Sequence, residues 1–432
     1  MKKPLVFLVA VCLTALGAQD LFANGSKEKV SGPVTLNAIA WISFPSELTV
    51  YQTLAADFSK SHPNVTVNFQ GYTQNYDEKV TSLYAAGDSP DMLLVNATGS
   101  AEQIVNGELA PLDKYISGQD GINLKDLYPS AVEAFTYKGK IYGYAPDVGD
   151  QILYYNKKLF DAGGVPYPTA NWTWADLANA AQKLTMKDST GRVSQIGFQY
   201  DELNRFFTTV LLSNGGDLFD NDNTPTKVEF NSPIGVAAAE YVKNVEHNLG
   251  GAPNPGAPGA LSFRDAFRTG KVAITMDGSW MIKAYTEQTD LSYGTQMTPL
   301  GSEGRVAWHD DVAWCMSTQT KNPDLAWQLI KAYSSEKVAI SRSDYGGNDL
   351  EAMPAWITAY SDPNWKPTSL TQPAADQIKY AKAEIHFWGS GKFYWNMLLP
   401  AMQQIVATDT TAKTVLDQLA QQTQSEILSQ MP

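Results

Sequence analysis

The stretch Val34-Thr-Leu-Asn-Ala-Ile-Ala-Trp41 opens a pattern that decides the fold class. Its apolar residues mostly alternate, as in a β-strand, and apolar residues at helical spacing follow it. A second alternating stretch at 65–69, a second helical stripe at 76–84 and a continuous apolar run at 91–95 complete a βαβαβ unit. Strands separated by helices predict an α/β fold with a mostly parallel sheet that is covered on both faces.

Ligands of such sheets bind in the loops beyond the carboxyl ends of the strands. Two loops of the opening unit meet this description, Ile42-Ser43-Phe44-Pro45 and Asn96-Ala97-Thr98-Gly99. A later strand at 272–276 leads into Asp277-Gly278-Ser279-Trp280, which is a third such place. A strand-end cap is the ordinary alternative role for Asn96 and Thr98, so both interpretations stay open.

Composition limits the class of partner. The chain has 432 residues, 44% of them hydrophobic, and a formal net charge of −13. Two or three domains are expected at this length, and such acidity argues against nucleic acid or anionic lipid as a partner. With 11 Trp and 21 Tyr beside 16 Phe, most aromatic rings carry a polar group, as surfaces that bind amphipathic ligands do.

The amino terminus predicts export. Residues 1–23 combine a basic start, a short apolar run and small residues, which is the pattern of a signal peptide cleaved near Ala23. Residues 24–33 are expected to form a flexible tether. The apolar run is shorter than the roughly 20 residues of a membrane span. Cys12 leaves lipid attachment open as a minor alternative, and Cys315 alone cannot form an internal disulfide.

Motifs of catalysis and metal binding are missing from the sequence. It has four scattered histidines and no HExxH, GxSxG, Walker A or GxGxxG pattern, so no metal or cofactor is expected. Two neighbouring acids are enough for a glycosidase, and Asp147 with Asp150 or Asp310 with Asp311 are candidates. Successive strand residues point to opposite faces, which argues against the second pair. A secreted glycosidase therefore remains an alternative.

Several short motifs occur in an order that resembles a known family, the extracellular solute-binding proteins of bacterial ABC importers, specifically the maltose-binding and multiple-sugar-binding group. The motifs are Leu54-Ala-Ala-Asp-Phe58, His62-Pro-Asn-Val-Thr-Val67, Ala85-Ala-Gly-Asp-Ser-Pro-Asp91, Leu109-Ala-Pro-Leu-Asp113, Tyr137-Lys-Gly-Lys-Ile-Tyr-Gly-Tyr144, Tyr155-Asn-Lys-Lys-Leu-Phe160, Asn214-Gly-Gly-Asp217, Phe267-Arg-Thr-Gly-Lys-Val-Ala-Ile-Thr-Met-Asp-Gly-Ser-Trp280 and Lys321-Asn-Pro-Asp-Leu-Ala-Trp327. Each is weak alone, and together they are specific.

The resemblance implies a two-lobed periplasmic binding protein fold of class II type, with a ligand cleft between lobes that are joined by several hinge crossovers. By analogy, residues 34–145 and 304–345 form lobe one, and 146–303 and 346–432 form lobe two. The implied function is a monomeric periplasmic receptor, possessing no enzyme activity, that delivers a carbohydrate to the permease subunits of an ABC transporter.

The resemblance also suggests site residues. A sugar needs flat aromatic platforms and hydrogen-bonding groups. Trp280 matches the family's stacking tryptophan position for position, while the other candidates occupy places where the family contacts sugar. These others are Trp41, Phe44, Asn96, Thr98, Asp147, Asp150, Trp308, Asp310, Asp311, Tyr345 and Trp388.

One segment departs from the family. Trp308-His309-Asp310-Asp311 stands where a Gly-Gly pair is common, and the bulkier groups should fill the cleft and favour a mono- or disaccharide. Glycerol phosphate or another polar solute is the alternative ligand for the same fold. An anion would require Arg or Lys in the cleft, and the loops named above contain none.

Overall fold

The computed structural model describes residues 32–43, 45–254, 257–343 and 353–432. Its strands are β1 Val34–Trp41, β2 Val65–Tyr72, β3 Met92–Asn96, β4 Leu109–Ala110, β5 Thr136–Tyr137, β6 Lys140–Ile141, β7 Gly143–Tyr144, β8 Asp147–Asn156, β9 Met186–Lys187, β10 Val193–Phe198, β11 Val272–Gly278, β12 Tyr293–Gln296, β13 Ala307–Ser317, β14 Met353–Pro354 and β15 Ala381–Lys382.

Its α-helices are α1 Pro45–Ser61, α2 Tyr76–Ala86, α3 Ala97–Val105, α4 Asp113–Ile116, α5 Pro129–Glu133, α6 Lys157–Gly163, α7 Trp174–Leu184, α8 Leu203–Ser213, α9 Pro233–Lys243, α10 Phe263–Arg268, α11 Ile282–Thr286, α12 Pro323–Tyr333, α13 Glu336–Ser343, α14 Gln372–Gln377, α15 Leu399–Ala407 and α16 Ala412–Glu426. A π-helical segment at Lys392–Leu398 precedes α15, and a 3₁₀ turn at Ser279–Met281 follows β11.

The opening βαβαβ unit is confirmed. β1 pairs in parallel with β2 along its whole length and with β3 on its other side, while α1 and α2 connect these strands. The local patterns were sufficient here because each strand is followed directly by a helix that must pack back on the sheet.

The prediction of a mostly parallel sheet is wrong beyond this unit. Hydrogen-bonded strands run in the order β2-β1-β3-β13-β8-β11-β10-β9, and β13 is antiparallel to both β3 and β8. β13 pairs with β3 through residues 312–316 and with β8 through 309–311. β13 therefore runs opposite to two neighbouring strands that lie far from it in the sequence. Periodicity within one segment cannot reveal such a pairing.

A second α/β region is built on the far part of β8. Residues 151–155 of β8 pair with β11, and β11 pairs in parallel with β10. The spacing of Thr173 and Asp176 predicts a capping box, and the two residues exchange hydrogen bonds at the start of α7. Helices α10 and α16 also belong to this later part of the chain.

The described residues bury two hydrophobic clusters, as the chain length suggested. One surrounds β1, β3 and β13 and extends to Phe267 and Tyr285 of the second region. The other lies between β8, β10 and β11 and helices α7, α8, α9, α15 and α16. Trp174 and Trp327, which the helical stripes predicted as core, are 5% and 3% exposed.

Two further expectations concern a membrane-spanning helix and a metal site. Within the described ranges, every helix is too short or too polar to cross a bilayer. In that same part of the chain, no group of three or more His, Cys, Asp or Glu side chains is arranged so that it could hold a metal ion. Phe44 and Tyr345, two candidate ligand residues, lie outside the described residues, and so does the predicted signal peptide.

Candidate functional site

The first two candidate loops lie side by side. β1 and β3 are parallel neighbours, so Trp41 and Asn96 end their strands at the same edge of the sheet. The half-buried Trp41 ring meets Tyr76 edge-on, with 5.4 Å between centroids. Asn96 accepts a hydrogen bond from the Thr98 amide at 3.0 Å and caps α3. The structure thus gives Asn96 the cap role, and its contact with a ligand stays a prediction.

The predicted acids meet where β8 crosses β13. Asp150 is the register partner of His309. Nδ1 of His309 lies 3.4 Å from Oδ1 of Asp311, and both side chains are fully buried. Asp147 and Asp150 are 5% and 0% exposed. The acids are therefore close together, but they offer almost no surface to a ligand, and their role as direct contacts gains no support from exposure.

Asp310 lies between these residues on β13, and its backbone is the register partner of Gly149. Its side chain is outside the described part of the structure.

Burial dominates the electrostatics of Asp150. It raises the pKa of the carboxyl group from 3.8 to about 6, and nearby His309, Ser279 and Gln377 offset only part of this effect. Gln377 donates to Oδ2 at 3.0 Å, while Oδ1 is buried and has no hydrogen-bond partner among the described residues. Asp150 is thus a protonatable group inside the crossing between the two regions.

Trp280 stands at the end of β11, beside the same crossing. Gly278 is the register partner of Gln151, so the Ser279–Met281 turn begins next to β8. A Cβ atom on Gly278 would lie 2.2 Å from Cζ2 of Trp280, which shows that the half-buried indole rests against the glycine backbone. Glycine at this position therefore lets the tryptophan lie flat on the strand end.

A polar network beside Gln151 was missed by sequence reasoning. The Tyr200 hydroxyl lies 2.8 Å from Oε1 of Gln151 and 3.2 Å from Oε2 of Glu202. Glu202 also binds Arg205 at 3.0 Å and Arg264 at 3.4 Å. One signal could have found it: residues 199–202 follow the carboxyl end of β10, a strand parallel to β11.

The network continues to Asp277, which lies three residues before Trp280. Arg264 binds the fully buried carboxylate of Asp277 in a bidentate manner, at 2.9 Å and 2.7 Å. Tyr285 donates a further hydrogen bond to Asp277 at 2.7 Å. Each of the two guanidinium groups therefore has a carboxylate partner, Glu202 for Arg205 and Asp277 for Arg264.

Trp308 and Trp395 lie beside this network. Trp308 is 1% exposed and stacks on Tyr394 with 5.3 Å between centroids and an interplanar angle of 11°. The Arg205 guanidinium carbon lies 4.9 Å from the Trp308 ring and 5.1 Å from the Trp395 ring. Trp308 thus packs in the second hydrophobic cluster, whereas Trp395, which sequence reasoning missed, keeps a partly exposed ring.

Strand alternation therefore divides the crossing into two faces. Asp150, His309 and Asp311 lie on the fully buried face, and Gln377 packs against it. Gln151 and Trp308 lie on the other face, which carries partly exposed groups: the side chains of Glu202 and Arg264 are 20% and 34% exposed, and Trp395 is half-buried. The second face is the one that can meet a solute.

Trp388 belongs to a loop that contacts α3. It is half-buried, and its neighbour Phe387 is anchored in the second hydrophobic cluster against Phe219. The next residue, Gly389, donates its amide to Glu102 of α3 at 2.9 Å. The structure thus places Trp388 near the amino-terminal half of the chain, and stacking on a ligand stays a prediction.

Comparison with known protein families supports the resemblance. The family described as bacterial extracellular solute-binding protein matches residues 53–372. The galactooligosaccharide-binding protein of Bacillus subtilis is 22% identical over 99% of this chain and 97% of its own. The arabinooligosaccharide-binding protein of the same organism is 26% identical over 76% of each chain.

Solved structures show that the fold is shared. An ABC substrate-binding protein of Listeria monocytogenes in complex with cycloalternan superposes with a TM-score of 0.79, at 23% identity, over 91% of this chain and 99% of its own. The sugar-binding protein MalE of Xanthomonas citri gives a TM-score of 0.78 at 20% identity, over 91% and 97%. The two-lobed α/β fold class predicted from the sequence is confirmed.

Proposed function

Because this chain belongs to the bacterial extracellular solute-binding family, we propose that it is the receptor of an ABC importer, which binds a carbohydrate between two lobes and delivers it to the permease. The observation that carries the proposal is the partly exposed face of the crossing. There, aromatic rings of Trp280 and Trp395 accompany the polar groups of Glu202 and Arg264. Rings and bidentate polar groups together suit the apolar face and hydroxyl rim of a sugar.

Charge balance favours a neutral solute. Arg205 and Arg264 supply the cations that an anion such as glycerol phosphate would need, but both bind carboxylates of the protein. An incoming phosphate would have to displace Glu202 or Asp277, and this would leave a buried carboxylate without its partner. A hydroxyl-rich neutral ligand requires no such exchange. A glycosidase is the weaker alternative, because the family consists of solute-binding proteins.

The length of the sugar is less constrained. A mono- or disaccharide is proposed because segment 308–311 is bulky. The Trp308 side chain, however, is buried in the second hydrophobic cluster, so only its neighbours in the segment can narrow the cleft. The named relatives are galactooligosaccharide- and arabinooligosaccharide-binding proteins. A short oligosaccharide is therefore the second candidate.

We propose the same lobe bounds as the sequence suggested, with residues 34–145 and 304–345 in one lobe and 146–303 and 346–432 in the other. The crossing supports this arrangement, since β8, β13 and β14 pair with one another there. We also infer export to the periplasm with cleavage near Ala23, and a monomeric receptor. Radiolabelled uptake by cells that lack the gene tests delivery to the permease.

A thermal unfolding panel tests the proposed ligand class. The panel contains mono-, di- and tetrasaccharides, glycerol phosphate and peptides, each mixed with purified protein. A ligand at about 100 times its Kd should stabilise the protein by roughly 2.7 kcal/mol. The carbohydrate proposal fails if only phosphate esters or peptides raise the Tm. Release of aglycone from aryl glycosides, measured in parallel, would instead support the glycosidase.

A further inference from the structure

A second contact joins the two hydrophobic clusters, away from the crossing of β8 and β13. Helix α3 packs on β3 and β13 through Ala97 of the first cluster. The segment 388–391 lies between Phe387 and Phe393, both of which are fully buried in the second cluster. Any movement of one region relative to the other must change or strain this contact.

Two hydrogen bonds form the contact. Oε1 of Glu102 accepts the amide of Gly389 at 2.9 Å, and Ser390 donates its hydroxyl to the Thr98 carbonyl at 2.9 Å. Gly391 lies against the same Thr98 carbonyl. The backbone of Gly389 has φ of +90°, and a Cβ atom there would lie 2.7 Å from Ile427, so the segment is held in one shape.

The carboxyl group of Glu102 is only half satisfied. Oε2 is buried and has no hydrogen-bond partner within the described residues. Burial raises the pKa of Glu102 from 4.5 to about 7, and the amides of Gly389 and Gly391 offset only part of this effect. Separation of the two surfaces would return the carboxyl group to water and to its ordinary pKa.

The neighbouring titratable groups do not compensate this carboxyl group. Tyr137 of β5 faces it, and the pKa of this phenol is raised by burial and by Glu102. Lys138, the next residue, binds the carbonyl of Pro432 at 3.1 Å. Lys392, beside the segment, pairs with Glu426 at 2.7 Å. Both cations are therefore engaged elsewhere, and Glu102 acts on its own.

We propose that Glu102 is a positioning residue of the solute cleft, which holds the Trp388 segment against α3 and favours the closed cleft most when its carboxyl group carries a proton. The inference rests on the proposed function for one readout, the affinity for sugar. Proton uptake on closure follows from linkage, because the proton's contribution to the contact is fully present below pH 4.5 and is lost as the pH rises through about 7.

The test compares Glu102→Gln with the matched control Glu78→Gln, an exposed acid of α2. Glutamine keeps an acceptor for Gly389 and removes the titration. The Kd of wild type and of the control, measured with a sugar that raises the Tm in the thermal panel, should be about tenfold lower at pH 5.5 than at pH 7.5. Glu102→Gln should change less than twofold over this range. Ser390→Ala should raise Kd at both pH values and keep the wild-type profile.

The radius of gyration from X-ray scattering provides a readout that needs no sugar. Wild type without ligand should be more compact at pH 5.5 than at pH 7.5, and Glu102→Gln should be equal at both. Equal pH dependence in wild type and Glu102→Gln would overturn the proposal. So would a pH-independent Kd in wild type. If no carbohydrate binds, the proposed function fails, and the scattering result alone decides the role of Glu102.

Discussion

The indole of Trp280 lies against the backbone of Gly278, so closely that a Cβ atom would fall 2.2 Å from Cζ2 and 2.3 Å from Cε2. The glycine has an ordinary negative φ of −67°, so the constraint comes from the ring and not from the backbone conformation. The orientation of the most strongly suggested ligand residue thus depends on the absence of one methyl group two residues earlier.

Gly278→Ala should move the Trp280 ring and weaken sugar binding at least tenfold, because the new methyl group occupies the place of the indole. The matched control is Gly32→Ala, just before β1, where nothing lies within 4 Å of the added Cβ atom. Isothermal titration calorimetry measures both. Equal affinities for the two variants would show that the position of this ring is unimportant.

Trp280→Ala should raise Kd at least tenfold with little loss of stability, because the half-buried ring would lose its stacking on the sugar. Tyr380→Ala, at a residue that is 41% exposed, is the control and should leave Kd unchanged. Calorimetric Kd and Tm separate the two effects. An unchanged Kd for the first variant removes Trp280 from the site.

Trp308→Ala should lower the free energy of unfolding by about 3 to 5 kcal/mol, because it leaves a cavity against Tyr394 in a tightly packed cluster. Trp308→Phe should lose less. Urea unfolding gives these values. A large increase in Kd for Trp308→Phe without a change in stability would instead support the ligand contact predicted from the sequence.

Gln377 of α14 forms hydrogen bonds with β8 and with the backbone of Thr298. Its amide donates to Asp150 at 3.0 Å and to the Gln151 carbonyl at 2.6 Å, and it accepts from the Thr298 amide at 2.6 Å. Gln377→Leu should cost about 3 kcal/mol of unfolding free energy, because these groups stay buried without partners. The exposed Gln372 of the same helix, changed to Leu, should cost less than about 0.5 kcal/mol. Similar losses would contradict this role.

Asp150→Asn should change the pH dependence of stability. The folded pKa of Asp150 is raised from 3.8 to about 6, so its contribution is fully present below pH 3.8 and is lost as the pH rises through about 6. The variant should therefore gain about 2 to 3 kcal/mol relative to wild type between pH 4 and pH 7. Urea unfolding across this range measures it, with the exposed Asp376→Asn as control. Parallel pH profiles would refute the assignment.

Local features of the fold could be predicted from the sequence. The opening βαβαβ unit and the capping box of Thr173 and Asp176 depend on residues a few positions apart, so periodicity and spacing contain the necessary information. The antiparallel insertion of β13 could not be predicted this way. It depends on pairing between segments that lie about 160 residues apart, around Asp150 and His309.

The same distinction applies to the candidate site. Trp41 and Asn96 end their strands and Trp280 follows the end of β11, as predicted, because the rule for strand ends is local. Arg205 of α8 and Arg264 of α10 could not be predicted as neighbours, because their proximity depends on how these two helices pack in three dimensions. Glu202 and Asp277 pair with these two arginines. The loops named from the sequence contain no Arg or Lys, and they therefore did not reveal the charged side chains near the candidate site.

β8 and β13 each continue without a break from one set of neighbours to the other, and they share only the pairs at residues 148–150 and 309–311. A one-residue slip between them would exchange the two faces of β8 relative to β13 and end the register pairing of Asp150 with His309. Sliding of β8 along β13 is therefore penalised, because it would turn buried side chains toward water and exposed ones toward the core. Relative movement of the two regions is then expected as bending and twisting of these continuous strands at a fixed register.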